Sequence, residues 1–171
     1  MLLTEAIRKR YSCRSYDETR PIEQEKLDRI FELARLAPSA KNMQDWRFVV
    51  VTEKDKKSRV AGCTNQSDIF KKAGAIIAAC SNSDYVMTCG QAIGPIDVAI
   101  ILDHIALLAT ELGLATCWIG SFQADKVKTI LGIPEGIAVI ELITIGYPAG
   151  DEKHTTREPV ENIVCYNEWG F

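Results

Sequence analysis

Arg10, Ser12 and Arg14 occupy alternate positions in the segment Arg10-Tyr11-Ser12-Cys13-Arg14. In an extended stretch alternate residues share one face, so this spacing aims two guanidinium forks and a hydroxyl at a single anion. A phosphate monoester, with close to two charges and several strong acceptors, matches that donor set. The same residues also fit a solvated basic turn, and spacing alone leaves both readings open. A second polar row follows in Pro38-Ser39-Ala40-Lys41-Asn42-Met43-Gln44-Asp45-Trp46. Asn42 and Gln44 alternate, and each amide offers a donor and an acceptor to the mixed edge of a planar heterocycle such as an isoalloxazine, with Ser39 beside them. An ordinary polar turn is the competing account. Gly120, after Trp118 and Ile119, permits close backbone approach to a ring, and it also fits a glycine that simply ends a buried strand. Arg157, in the C-terminal tail, is a candidate third cation. Together these residues suggest a bound flavin mononucleotide (FMN), and hence redox chemistry carried by the cofactor.

Other chemistries find less support. The two histidines, His104 and His154, have no metal-ligand spacing around them, and no Cys-x-x-Cys is present, so no metal is expected. His104 reads as a core or interface residue whose polar atoms are satisfied. A cysteine hydrolase using Cys117 or Cys89 with a histidine is conceivable, but nothing selects such a pair. There is no Gly-x-Gly-x-x-Gly and no Walker loop, so a nicotinamide would visit as a substrate. Asp97 reads as a helix-terminal charge or cap partner. A net charge of -3 gives no reason to expect nucleic acid. The first residues lack the pattern of a signal peptide, and the apolar run 95–109 is interrupted and short for a membrane span. A cytoplasmic location is therefore expected, with the six cysteines reduced.

The elements that must position these groups follow from periodicity. With 171 residues, 47% of them apolar, the chain is expected to form one domain. A short helix is expected over 4–10, capped by Thr4, and a clearer one from Pro21 up to Pro38, with Leu27, Ile30, Phe31 and Ala34 inward. Residues 46–52 read as a strand and 75–80 as a central strand covered on both faces. Helices are expected over 53–61 and 67–72, a loop over 81–94, and a long helix over 95–112 whose polar stripe is Asp97, His104 and Glu111. Strand 115–120, helix 124–131 and strand 137–145 complete the body. The tail, 148–171, ends in Trp169-Gly170-Phe171, aromatic groups expected to lie against a second subunit.

Four segments, in this order, resemble the nitroreductase family of flavin enzymes: Arg10-x-Ser12-x-Arg14; Pro38-Ser39-Ala40-x-Asn42-x-Gln44-x-Trp46; Gly113-Leu114-Ala115-Thr116-Cys117-Trp118-Ile119-Gly120; and Gly146-Tyr147-Pro148 with the tail to Arg157-Glu158-Pro159-Val160. The resemblance implies an α+β fold, a three-layer α-β-α sandwich with a central mixed sheet, in an intertwined homodimer with FMN at the interface. It implies that Arg10, Tyr11, Ser12, Arg14 and Arg157 serve the phosphate side, and that Pro38, Ser39 and Asn42 come from the other chain. Gln44, Gln66, Ile119 and Gly120 would face the cofactor. The implied reaction is ping-pong hydride transfer from NAD(P)H through the flavin to a nitroaromatic, quinone or similar small aromatic acceptor. A flavin-binding or storage protein with little turnover is the alternative. Three departures from the family pattern stand out: the chain is short, which leaves substrate preference open; Thr155 stands where a lysine is frequent, leaving fewer phosphate cations; and Lys41 and Asp45, at the implied pocket entrance, replace residues that are usually small or proline.

Overall fold

The computed structural model describes residues 1–150 and 154–171. Its centre is the strand β2 (Ala75–Ser81), which is buried at every position. Ile77 and Ala79 face one hydrophobic cluster while Ile76, Ala78 and Cys80 face another. That two-sided burial is why the segment is uniformly apolar rather than alternating. β2 lies between β1 (Trp46–Val51) and β4 (Ala138–Gly146), and β3 (Ala115–Ile119) pairs with the far side of β4. The order β1-β2-β4-β3 puts β1 and β3 on opposite edges. All three pairings are antiparallel, and parallel pairing enters where Ser12 bridges Thr116 at the β3 edge.

Helices close both faces, giving the three-layer arrangement. On one face α2 (Gln24–Ala34) and α5 (Ile93–Glu111) pack Leu27, Ile30, Val98, Ile101, Leu102 and Ile105 against the sheet. On the other, α3 (Lys54–Ala61), α4 (Ser67–Lys72) and α6 (Ala124–Leu131) contribute Val60, Phe70 and Val127. The short α1 (Leu3–Lys9) begins before Thr4, with Leu2 at its N-cap and the Glu5 carboxylate accepting the Leu2 N–H at 3.1 Å. The Thr4 cap is thus corrected: Glu5, one turn in, takes that role.

α5 starts two residues earlier than its sequence suggests, because Pro95 is tolerated within a first turn, where no intrahelical donor is lost. The helix is long and apolar enough to cross a membrane by length and composition, yet half of that stretch is buried inside the protein. Its polar stripe does not mark a uniformly solvated line, since Asp97 is 2% exposed while Glu111 is open. Instead Ile96, Ile100, Asp103 and Leu107 run along the flank least covered by the core. The tail carries a short turn at Val160–Asn162 and leaves Val160, Ile163, Tyr166, Trp169 and Phe171 exposed.

Candidate functional site

The first row of cations is held by β3. Cys13 N–H donates to the Thr116 carbonyl at 2.9 Å, extending residues 12–14 beside the strand. Cys13 turns inward, 1% exposed, and its thiol meets the Ser15 carbonyl at 3.0 Å. Ser12 and Arg14 consequently turn out, as alternation requires, while Arg10 is half-buried and does not line the cavity described next. Arg14 Nη1 donates to the Ser12 carbonyl at 3.3 Å, which keeps the guanidinium beside the hydroxyl-bearing residue. Tyr11, Ser12, Cys13, Arg14 and Ser15 line a cavity of about 370 Å³ whose other wall is Ala149 and Gly150. A group with the size and donor demand of a phosphate fits this wall, since its side-chain donors are cationic or hydroxylic.

Arg157 sits farther along the tail, where its Nη1 donates to Thr155 and Thr156 carbonyls, both at 3.0 Å. The tail returns to the first row at His154, whose ring lies 6.0 Å from that of Tyr11. Part of the tail, residues 151–153, lies outside the described residues.

β3 leads from this row to Gly120. Gly120 lies four positions beyond Thr116, which sits beside Ser12, a span of about 13 Å along a strand. Ile119 is buried in the second cluster, so its side chain belongs to the core and only its backbone is available to a ligand. Gly120 itself is exposed. Thr64 bridges Phe122 and the Gln123 N–H donates to the Cys63 carbonyl at 2.9 Å, which brings the exposed Gln66 to the same end of the sheet.

Residues 38–45 form a wound loop ahead of β1. Asn42 and Met43 N–H groups donate to Ser39 and Ala40 carbonyls at 3.0 Å each, and Ser39 Oγ accepts the Gln44 N–H at 3.1 Å. Lys41, Asn42 and Gln44 all have left-handed backbones, with φ of 51°, 56° and 50°. Such conformations cost non-glycine residues energy and persist where surroundings hold them. Here the holding group is Asp97, whose two oxygens each accept the Ala40 N–H at 3.1 Å. Asp97 therefore caps this loop rather than its own helix, a correction to the sequence reading. Burial pushes its carboxyl above the usual range, the Ala40 N–H opposes that, and the nearby Asp45 charge adds to it. Asp45, 5% exposed, binds the Ser81 hydroxyl at 2.6 Å through Oδ2, while its Oδ1 is buried without a hydrogen-bond partner. Pro38, Ser39, Asn42 and Gln44 are all at least partly exposed, and the Gln44 side chain donates to the Asn42 carbonyl at 3.2 Å. Lys41 is drawn aside, its ammonium 4.3 Å from the Tyr85 ring centre.

The two candidate halves are not brought together within one chain. The loop opens into β1 while Gly120 ends β3, and three strand spacings, about 14 Å, separate those edges. Ser12 is farther still, at the diagonal corner.

Sequence reasoning missed Glu141. Its carboxylate lies against the Gly120 turn, with Oε2 and Oε1 3.5 and 3.6 Å from where a Gly120 side chain would begin. Burial raises its proton affinity, and the Ile119 and Leu142 amides work against that. The available signal was one acid inside strand 137–145, where every other residue but Thr144 is apolar. His104 Nδ1 is paired with the Ile100 carbonyl at 3.0 Å, as a satisfied helix residue. Among the described residues there is no cluster of three metal-ligating side chains.

The nitroreductase family model matches residues 7–65 and 59–147. An oxygen-insensitive NADPH nitroreductase of Helicobacter acinonychis (strain Sheeba) is 37% identical, the match covering 94% of either chain. The crystal structure of a nitroreductase family protein from Clostridium difficile 630 is 32% identical and superposes with a TM-score of 0.89 over 99% of this chain and 100% of that one. A protein from Exiguobacterium sibiricum 255-15, solved in complex with FMN, shares the fold at 21% identity, with a TM-score of 0.89 over 98% of each chain. By the family match across both of its candidate halves and by these relatives, the chain belongs to the nitroreductase family.

Proposed function

We propose that the protein is a homodimeric, FMN-dependent oxidoreductase that passes reducing equivalents from NAD(P)H to a nitroaromatic, quinone or similar electron-poor acceptor in ping-pong turnover. FMN when bound supplies the hydride chemistry, and the chain supplies grip, orientation and a field. The observation that carries the reading is the run from an anion-suited cavity wall at Ser12 and Arg14 to the open Gly120 backbone, one strand length away. The name of the Helicobacter relative and the FMN complex of the Exiguobacterium one support it, the latter by showing that this fold accommodates the cofactor.

In this reading the Arg10 and Arg14 guanidiniums neutralise the phosphate while the Ser12 hydroxyl donates to it. Gly120 presents its backbone without a side chain in the way. The loop bearing Pro38, Ser39, Asn42 and Gln44, stranded at the opposite edge, serves the site of a second copy. Exposed Leu2, Leu3 and Ile7 on α1, Ile96 on α5 and the aromatic tail give that copy an apolar surface to cover. A cytoplasmic setting belongs to the same proposal.

Subunit complementation tests the composite site. Arg14→Ala and Asn42→Ala chains, each impaired alone, are co-expressed. If one site draws Arg14 from one chain and Asn42 from the other, every mixed dimer contains one intact site and FMN binding returns at up to half stoichiometry. If both residues come from one chain, mixing restores nothing and the composite reading is wrong.

A further inference from the structure

Glu141 is the one acidic residue of β4, and its strand position explains its placement. It pairs with Ala79 across the sheet, while Leu142 pairs with Ile119 at the end of β3. The carboxylate is thereby delivered to the inner side of the Gly120 turn, within 3.6 Å of the Gly120 side-chain position. Oε1 is buried and has no hydrogen-bond partner. A carboxylate so placed is poorly shielded by water and faces the turn on which the proposed cofactor ring would rest. No salt bridge compensates it among the described residues, whose ion pairs lie at Glu111, Glu23, Glu32 and Glu53.

We propose that Glu141 is a positioning residue that sets the electron affinity of the FMN held against Gly120, its negative charge favouring the oxidised over the reduced cofactor. The inference rests on the FMN reading above. The physical reason is that a fixed charge beside a flavin acts on the added electron density, and a half-buried charge acts through a low local dielectric. A side chain at 120 would begin at ordinary van der Waals distance from the carboxylate, so the turn and the acid are direct neighbours.

The test is the midpoint potential of FMN on the reconstituted protein at mildly alkaline pH, by equilibrium dye titration, in wild type, Glu141→Gln and Glu141→Ala. Asp125→Asn, at the exposed start of α6, serves as a charge-removal control. In both Glu141 variants the ratio of reduced to oxidised FMN affinity rises at least tenfold, an upward shift of about 30 mV for a two-electron couple. The control stays at the wild-type value. Circular dichroism and thermal melting confirm that the variants are folded, and agreement between Gln and Ala separates charge from packing. Bound FMN whose potential is unchanged in Glu141→Gln overturns this inference and leaves the cofactor reading standing. Failure of folded wild type to bind FMN overturns both.

Discussion

Replacing Gly94 by alanine probes whether the start of α5 and the loop before β1 are one mechanical unit. The added methyl would lie 2.6 Å from Ser81 Oγ and 3.0 Å from its Cβ, inside a fully buried contact. Ser81 cannot yield freely, because its hydroxyl donates to Asp45 at 2.6 Å and accepts the Ser83 N–H at 3.2 Å. Overpacking of this kind costs about 1–3 kcal/mol. Displacing the hydroxyl loses a buried bond to a charged group, about 1.5–3 kcal/mol, and leaves Asp45 with neither oxygen satisfied. Against this, alanine improves helix propensity by at most about 1 kcal/mol. The expected loss is about 2–4 kcal/mol, measured by urea unfolding at fixed protomer concentration. The decisive control is a double-mutant cycle with Ser81→Gly, which removes both colliding atoms. Gly94→Ala should then cost little beyond that background, giving a coupling of at least about 1.5 kcal/mol. A Gly94→Ala protein within about 0.5 kcal/mol of wild type, or an equal cost in both backgrounds, would refute the reasoning.

Asp97 makes a pH prediction with a definite sign. Its native proton affinity is raised by burial, so ionising it costs more folded than unfolded, and stability falls as pH rises from 3.8 through its higher native value. Asp97→Asn should lack this component, the gap between variant and wild type growing over that window by about 1.4 kcal/mol per tenfold change in affinity; parallel pH–stability curves would contradict it. For the thiols, exposed Cys89 and Cys165 should be alkylated first, and buried Cys63, Cys80 and Cys117 only on unfolding, since burial raises all three and pushes Cys80 to about 11. Mass-mapped labelling checks this, and loss of turnover on labelling would revive a cysteine mechanism. Removing residues 159–171 takes away exposed Val160, Ile163, Tyr166, Trp169 and Phe171 but no buried residue, so the truncated chain should fold yet elute as a monomer with weakened FMN binding. A truncated dimer with full affinity would show that the tail has no part in the interface.

Most of the architecture is legible because it rests on local periodicity. The apolar run in β2, the inward row of α2 and the glycine after α6 each specify an element with little outside help. Residues 67–72 and 124–131 begin and end where their patterns say. What escapes the sequence depends on partners distant in the chain. Asp97 finds Ala40 57 positions away, and Ser81 finds Asp45 36 away, so neither role has a local signature. Glu141 shows only as an acid in an apolar strand until the Gly120 turn is laid beside it. The left-handed run at Lys41, Asn42 and Gln44 is similarly a product of the cap beneath it. The row at Arg10, Ser12 and Arg14 is the reverse case, since alternation suffices to put Ser12 and Arg14 on one exposed side. Ile119 shows the limit of carrying roles by position, because its side chain is committed to the core.

The central claim is that this chain binds FMN and reduces it with a nicotinamide. An anaerobic absorbance spectrum of the FMN-reconstituted protein, taken before and after NADH and then NADPH, tests it directly. The account predicts bound flavin that bleaches with at least one donor and recovers on adding a nitroaromatic or quinone. Folded protein that fails to bind FMN, or bound flavin that stays oxidised with both donors, would contradict it.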